Sequence, residues 1–239
     1  LEMRTRGLEE LISDTVGVLL FGLSAIFAEY DVLTVNRMDA LPDEEFKYPP
    51  NRFRLRVQSK VAERIGHTSA VRSLRRKGPN RAVVESANCF LDHLDKAIIN
   101  SADIESLKSD RVVGISYEWI EETLEDAISF AIKEVGSTAF DVTKVKSEVP
   151  ELIERIELGL PPNEVGRPPS ATSVDWRSAI LAAWLYRLHG KKLSGSDKGK
   201  ALTADQYEQL NKLTMKAVEY ITLQKRYAAY ISAPTGTAP

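Results

Sequence analysis

The stretch 52-RFRLRVQSKVAERIG-66 supports two readings, and the choice between them decides the fold class. Residues 52–58 alternate polar with apolar, the period of a half-buried strand, which would line Arg52, Arg54 and Arg56 along one face. Over a longer span Phe53, Val57, Val61 and Ile65 recur every fourth residue, the spacing of one helix face. The helical period runs through the whole stretch and the alternation through only half of it, so 52–65 is predicted to be a helix. Pro50-Asn51 in front suits an N-cap, and Gly66 behind suits the residue that follows a helix C-terminus. Three arginines then lie at the positive end of the helix dipole, an unfavourable placement unless an anion compensates.

Helical punctuation recurs outward from this segment. Leu8, Leu11, Ile12, Thr15, Val16 and Leu19 form a stripe that starts a first helix running to about Tyr30. Within it TVGVLLFGLSAIFA, residues 15–28, is closed by Asp14 and Glu29 and is too short at 1.5 Å per residue to cross a bilayer of about 30 Å. It is expected to be a core helix, with no membrane association. DVLTVN (31–36) and RVVGIS (111–116) are the two candidate short strands. ALPDEEFKYPPN (40–51) is a polar connector. Helices are expected over 69–77, over 81–99 with Asn80 as its cap, and over 117–135. ELIERIEL, opened by Pro150 and stopped at Gly159, is a further short one. LPPNEVGRPPSATS (160–173) carries four prolines and is the strongest linker candidate. Thr172-Ser-Val-Asp175 and Thr203-Ala-Asp-Gln206 both have capping-box form, launching helices over 174–189 and 204–231.

These elements predict an all-α protein, an irregular bundle of about seven helices with at most two short strands. Its expected parts are a helical domain over 3–159 and a C-terminal helical pair over 174–232 packed on it. A single domain fits the length equally well. Residues 233–239 are expected to be a disordered tail.

With 239 residues, 43% of them hydrophobic and 28% charged, the composition is that of a globular chain and excludes a fibrous or intrinsically disordered one. One cysteine, Cys89, rules out an internal disulfide and suits a reducing, cytoplasmic location. Formal net charge is only −2, but it is unevenly placed. Residues 52–81 hold ten cations, Arg52, Arg54, Arg56, Lys60, Arg64, Arg72, Arg75, Arg76, Lys77 and Arg81, against the single acid Glu63. That band carries +9 and the rest of the chain −11. On the helical reading Arg52, Arg56, Lys60 and Arg64 form a column opposite the Phe53/Val57/Val61/Ile65 stripe, facing outward. A cationic column of this kind binds phosphate backbones by counterion release, and arginine forks suit phosphate oxygens.

VAERIGHTSAVRSL (61–74) resembles a helix-turn-helix motif, in which a second helix enters the major groove. Arginines stand at 72 and 75, where that motif carries apolar residues, and Val71 and Leu74 fall one register early. A plain glycine-hinged hairpin explains the same residues. Other constellations read as structure. Glu118, Glu121, Glu122, Glu125 and Asp126 lie opposite the Ile120/Leu124/Ile128 stripe, as a solvated face would. His67, His93 and His189 are scattered, and no nucleophile elbow, phosphate-binding glycine loop or dinucleotide fingerprint occurs. Trp176, Ile180, Leu181, Trp184, Leu185 and Leu188 form an apolar helix face with Arg177, Arg187, Lys191 and Lys192 elsewhere. Lys191, Lys192, Lys198 and Lys200 together form a second candidate phosphate contact.

The expectation that follows is a non-enzymatic protein, without cofactor or metal, that contacts nucleic-acid backbone through residues 52–81 within a nucleoprotein assembly. The alternative is a helical interaction or scaffold protein that forms homo-oligomers through the 204–231 helix, where Tyr220, Tyr227 and Tyr230 cluster. A second alternative is a nucleic-acid-processing enzyme whose carboxylates are not recognisable from spacing.

Overall fold

The computed structural model describes residues 2–35, 49–74, 80–98, 111–167, 169–190 and 202–232. Among these, ten α-helices and one two-stranded ladder account for the architecture. The protein is all-α, with more helices than the sequence pattern predicts. The helices are α1 (Glu2–Phe21), α2 (Leu23–Val35), α3 (Asn51–Arg64), α4 (His67–Arg72), α5 (Asn80–Ile98) and α6 (Arg111–Val135). They continue with α7 (Val142–Ser147), α8 (Val149–Glu157), α9 (Trp176–Gly190) and α10 (Ala204–Ser232). Strands β1 (Glu164–Val165) and β2 (Thr172–Ser173) pair antiparallel, with Glu164 opposite Ser173.

The chain divides into two compact units, each built from two separate segments: Leu1–Arg72 with Asn88–Val142, and Ser73–Ala87 with Thr143–Pro239. The proline-bearing segment 160–173 therefore lies inside the second unit, and the chain passes between the units within α5.

In the first unit α1 packs against α6, α3 and α2. Leu11, Val18, Leu19, Leu23, Ile26, Phe27, Leu55, Val57, Val61, Phe90 and Ile120 are buried in its core. The apolar 15–28 segment is buried as expected, but as two helices. Gly22 takes φ +61 between them, and a Cβ there would meet His67 Nδ1 at 2.7 Å. His67 itself is buried beside Phe140, its Nε2–H donating to the Phe140 carbonyl at 3.0 Å. Phe90 receives Phe27 and Tyr30 edge-on, with centroids 5.4 and 4.9 Å away. No described helix is long and apolar enough to cross a membrane.

Both candidate strands of the first unit are helical instead. Residues 31–35 continue α2 and residues 111–116 open α6, so β-branched composition was overridden by the helices on either side. The decisive 52–65 segment is a helix, with Gly66 at φ +81 just past its end. α4 is shorter than the predicted 69–77, and residues 75–79 lie outside the described ones, as does the 233–239 tail.

In the second unit α8 packs on α9, and α9 on α10. Val149, Leu152, Ile153, Leu181, Ala182, Leu185 and Ile221 fill the core. Asn80 is not a cap. It is the first residue of α5, buried, and its Nδ2 donates to the Pro150 carbonyl at 2.8 Å and to Glu154 at 3.1 Å. Asp175, not Thr172, caps α9: its Oδ1 accepts the Arg177 backbone N–H at 3.0 Å, while Thr172 belongs to β2. The second capping box is formed as expected, with Thr203 Oγ1 accepting from the Gln206 backbone at 3.2 Å and Gln206 Oε1 from the Thr203 backbone at 3.0 Å.

Candidate interaction surfaces

Of the ten cations in the 52–81 band, Arg75, Arg76 and Lys77 lie outside the described residues. Four of the others face carboxylates of their own unit. Arg54 donates to both Asp14 oxygens, at 2.7 and 2.8 Å, and lies 3.6 Å from Glu10 and 3.5 Å from Glu29. The hydrogen bond to Asp14 holds the guanidinium pKa above its ordinary value. Arg64 reaches Glu125 at 3.2 Å and the Ser129 hydroxyl at 3.1 Å. Arg72 clamps Asp92 at 2.6 Å and Asp95 at 2.9 Å. Arg81 pairs with Glu85 one turn on, at 2.9 Å. The arginine dipole penalty at the start of α3 is thus offset by acids from α1 and α2.

Around Arg54 the carboxylates outnumber the cation. Glu29 is half-buried, hydrogen-bonded by the Gln58 amide, and shares the guanidinium with Asp14. Burial first, then the Asp14 charge, push its carboxyl above the ordinary range.

Arg56 and Lys60 are different. Neither forms a hydrogen bond or ion pair with any described residue. They stand one turn apart on α3 and line a groove of about 320 Å³ with Ser59, Glu63, Thr68, Arg72, Leu23, Leu91, Leu94 and Asp95. The predicted outward column survives in part. Arg52 and Arg56 are half-buried, Lys60 and Arg64 are exposed, and Arg52 has its own interactions.

A second set of groups has no match among the described residues. α10 is 29 residues long, and of its large apolar side chains Leu210 and Ile221 are the ones buried. Arg187 of α9 stacks between Trp184 at 4.6 Å and Tyr207 of α10 at 4.7 Å, tying down the first half of α10. Further along, Tyr220 is 46% exposed, Leu223 62%, Tyr227 68% and Tyr230 80%. Their spacing of three, four and three residues is that of a heptad seam on one helix face. Glu219 and Arg226, both exposed, flank that seam and form no ion pair with any described residue.

The remaining candidates resolve into structure. Glu122, Glu125 and Asp126 lie exposed along α6, Glu125 serving Arg64. His93 Nε2 lies 3.1 Å from the Tyr30 hydroxyl, and His189 Nδ1 lies 3.2 Å from the Ser86 hydroxyl. Asp175 is buried under Arg177 and Lys144. Burial opposes its ionisation, yet the Arg177 hydrogen bonds and charge and the Lys144 charge hold its carboxyl well below the usual range. Among the described residues no group of three or more His, Cys, Asp or Glu is placed to hold a metal ion. Cys89 is exposed, and Lys191, Lys192, Lys198 and Lys200 lie outside the described residues.

Sequence patterning flagged the cations but not their partners. Glu10/Asp14 and Asp92/Asp95 are helix-face pairs whose opposition to Arg54 and Arg72 is a tertiary matter. The three tyrosines of α10 were flagged by the sequence, whereas Leu223 and the heptad seam it completes were not. No family model, no curated protein and no solved structure matches this chain.

Proposed function

We propose that this chain is a helical interaction protein that associates with a second copy of itself through α10. The observation that carries the reading is the exposed seam of Tyr220, Leu223, Tyr227 and Tyr230, large apolar and aromatic side chains at coiled-coil spacing. Aromatic residues of this kind are what interface cores are enriched in. The flanking charges select the orientation. In an antiparallel two-fold pair, Glu219 of one copy meets Arg226 of the other, and symmetry repeats the contact; Tyr220 then packs on the second copy's Leu223. A parallel pair would set Glu219 against Gln224 and Arg226 against Ile231, with no charge match.

The exposed parts of these side chains amount to about 1,000 Å² over the two copies, the lower edge of specific interfaces. The expected dimer is therefore reversible, with a Kd on the order of micromolar. Sedimentation velocity across a concentration series tests this: the dimer fraction rises with concentration in the wild type and vanishes in Leu223→Asp. Glu219→Arg weakens association, and the double swap Glu219→Arg with Arg226→Glu restores it. A wild type that stays monomeric up to about 0.5 mM, or association indifferent to Leu223→Asp, overturns the reading.

A further inference from the structure

Independently of α10, we propose that the groove lined by α3, α4 and the C-terminal part of α5 binds a compact phosphomonoester of nucleoside-monophosphate size.

Three features of the groove converge on that chemistry. Its cations at 56 and 60 have no carboxylate partner among the described residues, so placing a doubly charged anion between them breaks no existing ion pair. Side chains at i and i+4 lie roughly 6 Å apart at their Cβ atoms and so reach one and the same group. A phosphomonoester carries about −1.5 to −2 charges and three acceptor oxygens. The Arg56 fork takes two of those oxygens and Lys60 the third as a point charge.

The hydroxyl of Ser59, between the two cations in sequence and on the groove wall, is buried with no hydrogen-bond partner. Such a group is costly to leave unmet and is met by a ligand acceptor. The floor is apolar, from Leu23, Leu91 and Leu94, and suits a planar or aliphatic body. Glu63 and Asp95 at the rim accept from hydroxyl or amino groups on that body. Asp95 shares the Arg72 guanidinium with Asp92, which leaves that trio one negative charge in surplus beside the two cations.

The same observations disfavour an extended polynucleotide. Backbone binding draws its strength from many neutralised phosphates in a row, whereas Arg54, Arg64, Arg72 and Arg81 are paired within the chain. The two cations left unmatched among the described residues of a groove of about 320 Å³ fit one phosphate on one small body.

Calorimetric titration of the full chain with adenosine monophosphate, adenosine, inorganic phosphate and an unphosphorylated generic oligonucleotide tests the assignment. Adenosine monophosphate is expected to bind at least about tenfold more tightly than adenosine, the difference that phosphate contacts supply. Arg56→Ala and Lys60→Ala each weaken it about tenfold, with unchanged thermal unfolding, while Arg64→Ala leaves it unaltered. Equal affinity for nucleoside and nucleotide overturns the site, as does no heat up to about 5 mM nucleotide. So does oligonucleotide binding that falls steeply with salt and is not displaced by adenosine monophosphate. That last outcome returns the band to a backbone-binding role. Neither result bears on self-association, which is read with no nucleotide present.

Discussion

α3 and α10 are both amphipathic helices with conspicuous side chains, and they differ in what those side chains meet. α3 carries a dense run of cations, yet Arg54 and Arg64 close on acids of the same unit, and Phe53, Leu55, Val57 and Val61 are buried. α10 has ordinary charge, but its Tyr220, Leu223, Tyr227 and Tyr230 face solvent, flanked by Glu219 and Arg226, which have no ion-pair partner among the described residues. A helix offers binding capacity through the groups its own fold leaves unmatched, whatever its composition suggests. Among the described residues of the basic band, Arg54, Arg64, Arg72 and Arg81 are paired within the chain, and the α10 seam and the Arg56/Lys60 pair are where we propose binding.

Core deletion should separate the two helices most sharply. Leu55→Ala removes a fully buried side chain of α3 and is expected to cost about 3 kcal/mol, seen as a lowered urea midpoint. Leu223→Ala on the exposed seam should change unfolding of the monomer by less than about 0.5 kcal/mol. Comparable losses at the two positions would break the contrast.

Arg54→Ala comes next. It strands Asp14, Glu10 and Glu29 around an empty centre, with Asp14 and Glu29 partly or largely buried. The expected loss is about 2 kcal/mol, below the range for fully buried pairs because Arg54 retains some exposure. Arg64→Ala, removing an exposed pair, should cost under about 1 kcal/mol. If both losses were equally small, the Arg54 cluster would not be the anchor that sets α3 on α1 and α2.

The smallest effect sharpens that cluster further. Glu29 is raised by burial and by Asp14, so the folded state holds its proton more tightly than the unfolded chain does. Its stabilising contribution is complete below the ordinary carboxyl value of 4.5 and fades as pH rises through the higher folded value. Glu29→Gln keeps an uncharged acceptor for Gln58 at every pH. The variant should have the higher urea midpoint at pH 7, and the difference should shrink toward pH 4. A lower midpoint at pH 7 would mean that the Glu29 charge serves Arg54 more than it costs.

Much of this architecture could be read directly. The four-residue recurrence of Phe53, Val57, Val61 and Ile65 outweighed local alternation because a helix buries one face over its whole length. Gly66 and the Thr203/Gln206 box acted as helix punctuation because their conformational and hydrogen-bonding demands are local. The DVLTV and RVVGIS segments misled because β-branched residues report a packed environment more than a backbone preference. Thr172 misled because a capping pattern competes with strand pairing and with Asp175, which the Arg177 side chain stabilises.

The sequence by itself determined the helix period, the caps, the +9 band and the three tyrosines of α10, all of which depend on neighbours a few residues away. Tertiary structure alone decided which charges remain available. Arg54 meets Asp14 forty residues distant and Arg64 meets Glu125 sixty-one residues distant, and Coulomb attraction depends on separation in space, which chain order does not specify.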